Sequence, residues 1–429
     1  MDQLSEDVIV KIFSNLKAKT ILTNLRLVCK QWRQIIDESY YGVQLAENLL
    51  NKGVDEQDPL LLLLTQNPNN NNNNNDASTV WDEVNKRRRI NAIINNINNL
   101  NMVSNDGISK EKVLEINFNQ FPWPEEEEED EEEEVSLESS LHGILCFTKK
   151  TKTKPYLANP SRKEFLELPS ITPSKVRYCS YGLGFDKSSR NYKVVSVFLN
   201  SSNDKIEAMI YTLHLRDHDK KKSSSSSSSS WNMITKSQPQ CLPIPMPKCV
   251  NGVIYWIGLR QFDNTKPYTY NSPLNLCKIM AFDIEKEKFG LVSLPITNID
   301  SFELAHLNNG VLSLVDSSDK TPNHRVEIWN LKDYEKEYWI KMYKLEWIKL
   351  APLDQSPFFA NPLRVVGPWE NGQILLCYVS KCFMTYDPNT DTFEKLSFPD
   401  LLSNELVNQY HTYFPTLLSL SWFNQHHQH

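Results

Sequence analysis

One phrase recurs four times after about residue 135 and restricts the fold more than any other feature of the chain. "LHGILCF" (141–147) leads to "LANPSRKEFLELP" (157–169), and "VNGVIYWIG" (250–258) leads to "MAFDIEKEKFGLVSLP" (280–295). "NNGVLSLVD" (308–316) leads to "VEIWNLKDYEKEYWIKM" (326–342), and "ENGQILLCYV" (370–379) to "FMTYDPNTDTFEKLSF" (383–398). Each copy opens on an Asn-Gly or His-Gly turn, at Gly143, Gly252, Gly310 or Gly372. Glycine there permits the positive φ that a tight hairpin demands. A buried strand follows. A further strand then ends at Asn159, Asp283, Asn330 or Asp387, turns through polar residues, and restarts at Phe165, Phe289, Tyr338 or Phe393. Such units are small four-stranded sheets. Repeated sheets of this kind close radially into a β-propeller, which protects their edges.

The N-terminus follows a different period. In "LSEDVIVKIFSNL" (4–16), Val8, Ile9, Ile12, Phe13 and Leu16 fall on one helical stripe, with Ser5 as a candidate N-cap. In "LRLVCKQWRQII" (25–36), Leu25, Val28, Cys29, Trp32, Ile35 and Ile36 do the same. Residues 4 to 40 therefore make two or three short helices. A unit of about 40 residues is near the lower size limit for independent stability, and it has no disulfide or metal ligand set. Either it caps the next domain or it presents apolar surface to another protein.

The order of residues carries more than the period does. Leu4, Asp7, Ile12, Leu16, Leu22, Arg26, Val28, Cys29, Lys30, Trp32 and Ile36 resemble the F-box motif in order and spacing. Ser5 and Lys17 stand where that family often has proline. Further on, "YGLGFDKSSRNYKVVSVF" (181–198) and "YFPTLLSL" (413–420) resemble the plant F-box-associated domain, a kelch-like propeller. The resemblance spans about residues 110 to 420. "LLLLL" (60–64) is a candidate displaced first strand, and the chain lacks the Gly-Gly pair of true kelch repeats. The expected fold is mainly β: a small all-α F-box of three short helices, then a kelch-like β-propeller with long disordered inserts. The expected domains are an F-box at 1–45, a linker with an interrupted first blade at 46–135, the propeller at 136–423 and a His-rich tail at 424–429.

Three inserts lack the apolar residues needed to offset the entropy of ordering: Asn69–Asn75, Glu125–Glu134 and Ser223–Ser230. The acidic run also explains the net charge of −7, since ten of the 53 acidic residues lie in it and face 46 basic residues elsewhere. The remainder is near neutrality, which gives no global case for nucleic acid or an anionic membrane. The eight cysteines contain no CxxC pair. Unpaired thiols suit a reducing compartment, so the expected location is cytoplasmic, nuclear or both. "NKRRRI" (85–90) reads as a solvated basic loop before it reads as a nuclear-entry patch.

No GxSxG, HExxH or P-loop occurs, and Asp186, Asp283 and Asp387 fit Asx turns better than a carboxylate pair. Neither a catalytic residue nor a metal or cofactor site is expected. The resemblance instead implies the substrate-recognition subunit of an SCF-type ubiquitin ligase. Its F-box would bind a Skp-family linker, and through it a cullin scaffold, while the propeller would hold a protein substrate. The residues assigned to the linker are Leu4, Ser5, Ile9, Ile12, Phe13, Leu16, Leu25, Val28, Cys29, Trp32 and Ile36. Two alternatives stay open: a scaffold that binds the linker outside any ligase, and an enzyme with a site in the propeller's channel. The second would need a converging His and carboxylate cluster, which is not visible in the linear sequence.

Overall fold

The computed structural model describes residues 5–38, 41–46, 60–66, 90–95, 113–117, 136–148, 153–171, 176–214, 230–259, 277–296, 302–307, 310–317, 325–346, 363–378, 382–396 and 406–423. The Asn-rich run, the acidic run and nearly all of the Ser run lie outside these residues, as do the basic loop and the His-rich tail.

Three helices come first: α1 (Glu6–Phe13), α2 (Ala18–Thr23) and α3 (Lys30–Asp37), with a 3-10 turn at Leu25–Leu27. A helical segment at 41–46 follows. The Ser5 side chain makes no capping bond, and its backbone carbonyl takes the Val8 and Ile9 N–H groups at 3.1 Å each. Cys29 caps α3, its Sγ accepting from the Trp32 N–H at 3.4 Å. Ser5 has φ −61° and Lys17 has φ −74°. Those are angles that proline would also adopt, so the backbone at both positions suits either residue.

Among the described residues the strands form six antiparallel sheets. Blade 2 contains β4 (Ser136–Leu141), β5 (Ile144–Thr148), β6 (Pro155–Asn159) and β7 (Glu164–Glu167). Blade 3 contains β8 (Val176–Asp186), β9 (Asn191–Asn200), β10 (Lys205–Leu213) and β11 (Asn232–Met233). In blade 4, β12 (Leu242–Pro243) and β13 (Lys248–Val250) both pair with β14 (Val253–Leu259), followed by β15 (Cys277–Asp283) and β16 (Lys288–Val292). Blade 5 runs from β17 (Phe302–His306) through β18 (Leu312–Asp316) and β19 (Arg325–Asp333) to β20 (Tyr338–Glu346). Blade 6 runs from β21 (Arg364–Pro368) through β22 (Ile374–Tyr378) and β23 (Cys382–Asp387) to β24 (Thr392–Leu396).

Blade 1 joins the two ends of the propeller. Here β1 (Leu60–Gln66), β2 (Ile90–Asn95) and β3 (Val113–Asn117) are completed by β25 (Leu406–Tyr413), in the order β25-β1-β2-β3. The "LLLLL" stretch is therefore a displaced strand, and Leu60 pairs with Tyr413. The expected final strand at 413–420 is displaced in turn: β25 ends at Tyr413, and residues 414–419 run on as a strap without strand pairing. On the inner side of the blades β4 meets β8, β8 meets β13, β13 meets β17, β17 meets β21, and β21 meets β25 of blade 1.

The turn glycines behave as their sequence demands. His142-Gly143, Asn251-Gly252 and Asn371-Gly372 each place two consecutive residues at positive φ, and Gly310 has φ +63°. The Asx turns hold as well, with Asp283 Oδ1 taking the Lys286 N–H at 2.9 Å and Asp387 Oδ1 taking the Asn389 N–H at 2.8 Å. One assignment shifts. In blade 5 β19 runs three residues beyond Asn330, and it is Asp333 that accepts from the Lys336 N–H at 3.0 Å. Asn330 instead accepts from the Ser313 hydroxyl at 2.8 Å on the neighbouring strand.

Separate apolar cores fill the spaces between blades. Val195 and Val197 meet Trp256 and Phe282 between blades 3 and 4, and Val315 and Ile328 meet Val365 and Leu376 between blades 5 and 6. An ion cluster adds to the first of these seams. Lys193 lies 3.1 Å from Asp186 and 2.9 Å from Glu287. Burial pushes the Asp186 carboxyl up, but bonds from Ser188, Ser189 and Lys193 outweigh it and hold the group well below the usual carboxylate range.

Candidate functional site

The helical domain has two faces, and its sequence alone does not assign residues between them. Ile9, Val10, Phe13, Ile21, Ile35 and Ile36 are buried in one core that also contains Leu417, Leu418, Leu420, Trp422 and Phe423 from the strap and the residues after it. That shared core explains how so short a helical unit is stable. Three of the expected contact residues lie inside this core: Ile9, Phe13 and Ile36 sit at 2%, 1% and 0% exposure. Trp32 is half-buried and meets Phe13 edge-on, with ring centroids 5.1 Å apart. Leu16 and Leu25 are also partly buried against the same core.

Ser5, Ile12, Val28 and Cys29 remain on the outside. Leu4 lies outside the described residues. Two residues absent from the sequence-based assignment join them, because Val8 is 43% exposed and Leu27 is 72% exposed. Val8 and Ile12 are four residues apart on α1 and share a side of it. Leu27 and Val28 end the 3-10 turn just before α3. Uncovered large apolar side chains at these positions carry a solvation cost that a partner helix would remove. The helical period alone cannot reveal this, since it marks Val8 and Ile9 equally as members of one stripe.

A polar seam fixes this surface relative to the propeller. Asp37, at the end of α3, accepts from Arg26 Nη2 at 2.9 Å and from Arg162 Nη2 at 2.9 Å. Arg162 belongs to the turn between β6 and β7, and its side chain is only 5% exposed. Its Nε also reaches Glu164 at 2.9 Å, and its guanidinium stands 5.5 Å from the centre of the Trp422 ring. The Trp422 indole N–H donates to the Asp37 carbonyl at 3.0 Å. Glu164 holds the strap by accepting from the Ser419 hydroxyl and the Leu420 N–H, each at 2.7 Å. Gly42 lets the indole close over the helical domain, for a Cβ there would lie 2.4 Å from the ring.

Residues 109–417 match the family model of the F-box associated beta propeller domain, and residues 1–43 match that of the F-box domain. An Arabidopsis thaliana relative, "F-box protein At3g07870", is 24% identical over 99% of this chain and 93% of its own length. Another from the same plant, "Putative F-box protein At4g38870", is 29% identical over 48% of this chain. The chain spans 44% of the length of that relative and 61% of the length of "Putative F-box protein At1g47790". Among solved structures, a chain of a nidogen/laminin complex overlaps at TM-score 0.39 and 11% identity, over 83% of this chain and 99% of that one.

Proposed function

The chain belongs to the F-box proteins that carry an F-box associated β-propeller domain, and from that premise we propose that it is the substrate-binding subunit of an SCF-type ubiquitin ligase. In this reading the helical domain docks a Skp-family linker, which connects it to a cullin scaffold, and the propeller holds the target protein. The chain itself is not the catalyst. It contributes proximity: a target held beside a charged conjugating enzyme reacts at a high effective concentration. Six cysteines among the described residues are in no disulfide, which suits the reducing cytosol or nucleus, where we place it.

The observation that carries this reading is the exposed set Val8, Ile12, Leu27 and Val28 on a domain whose opposite side is sealed to the propeller. A rigid mount matters for such a role, because a freely swinging target would dilute the effective concentration. The test is titration calorimetry of the full-length protein against the linker, with Ile12→Asp and Leu27→Asp as variants. Binding of the parent and loss of roughly 2 kcal/mol or more in each variant is the expected result. Both positions are exposed, so the variants should melt like the parent. No binding by the folded parent would reduce the helical domain to a cap and remove the ligase reading.

A further inference from the structure

The exposed docking residues are not all held in the same way. Val8 and Ile12 ride on α1, whose Ile9, Val10 and Phe13 are buried, so apolar packing sets their position. Leu27 and Val28 have no such support. They close the 3-10 turn Leu25–Leu27, in which no residue is fully buried, and both stand well out in solvent. Two backbone bonds hold that turn: the Leu27 N–H donates to the Asn24 carbonyl at 3.2 Å and the Val28 N–H to the Leu25 carbonyl at 3.1 Å. Bonds of the 3-10 type have poorer geometry than those of an α-helix. Leu25 packs only partly against the core.

Arg26, inside the turn, supplies what packing does not. Its Nε donates to Asp37 Oδ1 at 3.0 Å and to Oδ2 at 3.1 Å, and its Nη2 to Oδ2 at 2.9 Å. This fork ties the turn, which precedes α3, to the last residue of that helix. A guanidinium seated on a carboxylate fixes direction as well as distance. Asp37 is fixed from the propeller side in its turn. Its Oδ1 accepts from Arg162 Nη2 at 2.9 Å, and its carbonyl accepts from the Trp422 indole at 3.0 Å. Arg162 is itself held by Glu164 at Nε and by the Leu417 carbonyl at Nη1, so it cannot follow a shifting turn. Side-chain exposure falls along this path from 35% at Arg26 to 5% at Arg162, too deep for Arg162 to meet a docked partner.

We propose that Arg162 is a positioning residue for linker docking: through Asp37 and Arg26 it holds the turn in the form that presents Leu27 and Val28, so the propeller raises linker affinity without touching the linker. The inference rests on the docking role stated above and deepens it. A turn that visits other forms binds only in the fraction that is correct, and the apparent Kd rises by the inverse of that fraction. Charge-assisted bonds, discounted for exposure at the Arg26 end, correspond to roughly a three- to tenfold change.

Calorimetry of the full-length protein against a purified Skp-family linker tests this, with each variant first shown to be folded by circular dichroism. Arg162→Met should weaken the linker roughly three- to tenfold, and Asp37→Asn should do likewise. A merely structural role would lower the melting temperature and leave Kd unchanged. A double-mutant cycle separates the route: Arg162→Met should be non-additive with Leu27→Ala, on the turn, and additive with Ile12→Ala, on α1. Amide hydrogen exchange at Leu27 and Val28 should also quicken in free Arg162→Met. Should Arg162→Met fail to fold, Arg162→Lys keeps the charge but loses the fork, and should weaken the linker to a smaller degree with the same pattern of coupling. An unchanged Kd in the folded Arg162 variant, or additivity with Leu27→Ala, would overturn the positioning role and leave linker docking intact. A folded parent that binds no linker would overturn both.

Discussion

Arg162 shows how much one side chain can connect. Its guanidinium joins α3 through Asp37, its own hairpin through Glu164, and the residues after the strap through Leu417 and Trp422. At 5% side-chain exposure these are largely desolvated contacts. Hydrogen bonds to charged groups in such settings are worth more than neutral ones. Arg162→Met keeps much of the stem's packing and removes the polar links. It should destabilise the protein by about 1.5–3 kcal/mol, read from urea unfolding. Asp37 retains Arg26, which keeps the loss below that of a stranded buried carboxylate. An unchanged unfolding midpoint would mean the seam is decorative.

Hairpin turns make the matching case for elements. Gly143 and Gly252 open equivalent strands, at φ +73° and +77°, and each needs the left-handed region. Their surroundings differ. A Cβ at Gly143 would lie 2.5 Å from the Phe414 carbonyl and 2.7 Å from the Thr416 side chain, whereas one at Gly252 meets only the Phe185 carbonyl at 3.8 Å. Gly252→Ala should therefore cost about 1–2 kcal/mol from backbone strain alone. Gly143→Ala should cost clearly more, because it must also displace the strap. Parallel thermal melts check the order of the two variants. Equal losses would show that the strap yields freely at this point. The β-turn glycines could be read from sequence, since Asn-Gly between apolar runs has one good conformation. Their inequality could not, because it depends on residues some 270 positions away in the chain.

At the scale of the whole molecule, one core runs from α1 through blades 2 and 3 to Phe423. The ring itself closes only when β25 pairs with β1. The helical domain and the propeller should thus unfold together, in a single calorimetric transition whose van't Hoff and calorimetric enthalpies agree. Two resolved transitions would show that the helical domain folds by itself and that the shared core contributes little.

What the sequence determined by itself is whatever rests on local physics. The period of α1 and α3, the positive φ at Gly143, Gly252, Gly310 and Gly372, and the Asx turns at Asp283 and Asp387 each involve a few neighbouring residues. They could be read directly, and with them the β-propeller. Asn330 was the exception, since a strand three residues longer moved the turn to Asp333. Only the tertiary structure decided the rest. Asp37 and Trp422 lie 385 residues apart, and no local period links them. Ile9 and Val8 look alike in a helical stripe until the core shared with the propeller buries one and leaves the other in solvent. Blade 1 becomes a sheet only when β25, from the far end of the chain, pairs with β1, and that closure is a property of the whole chain.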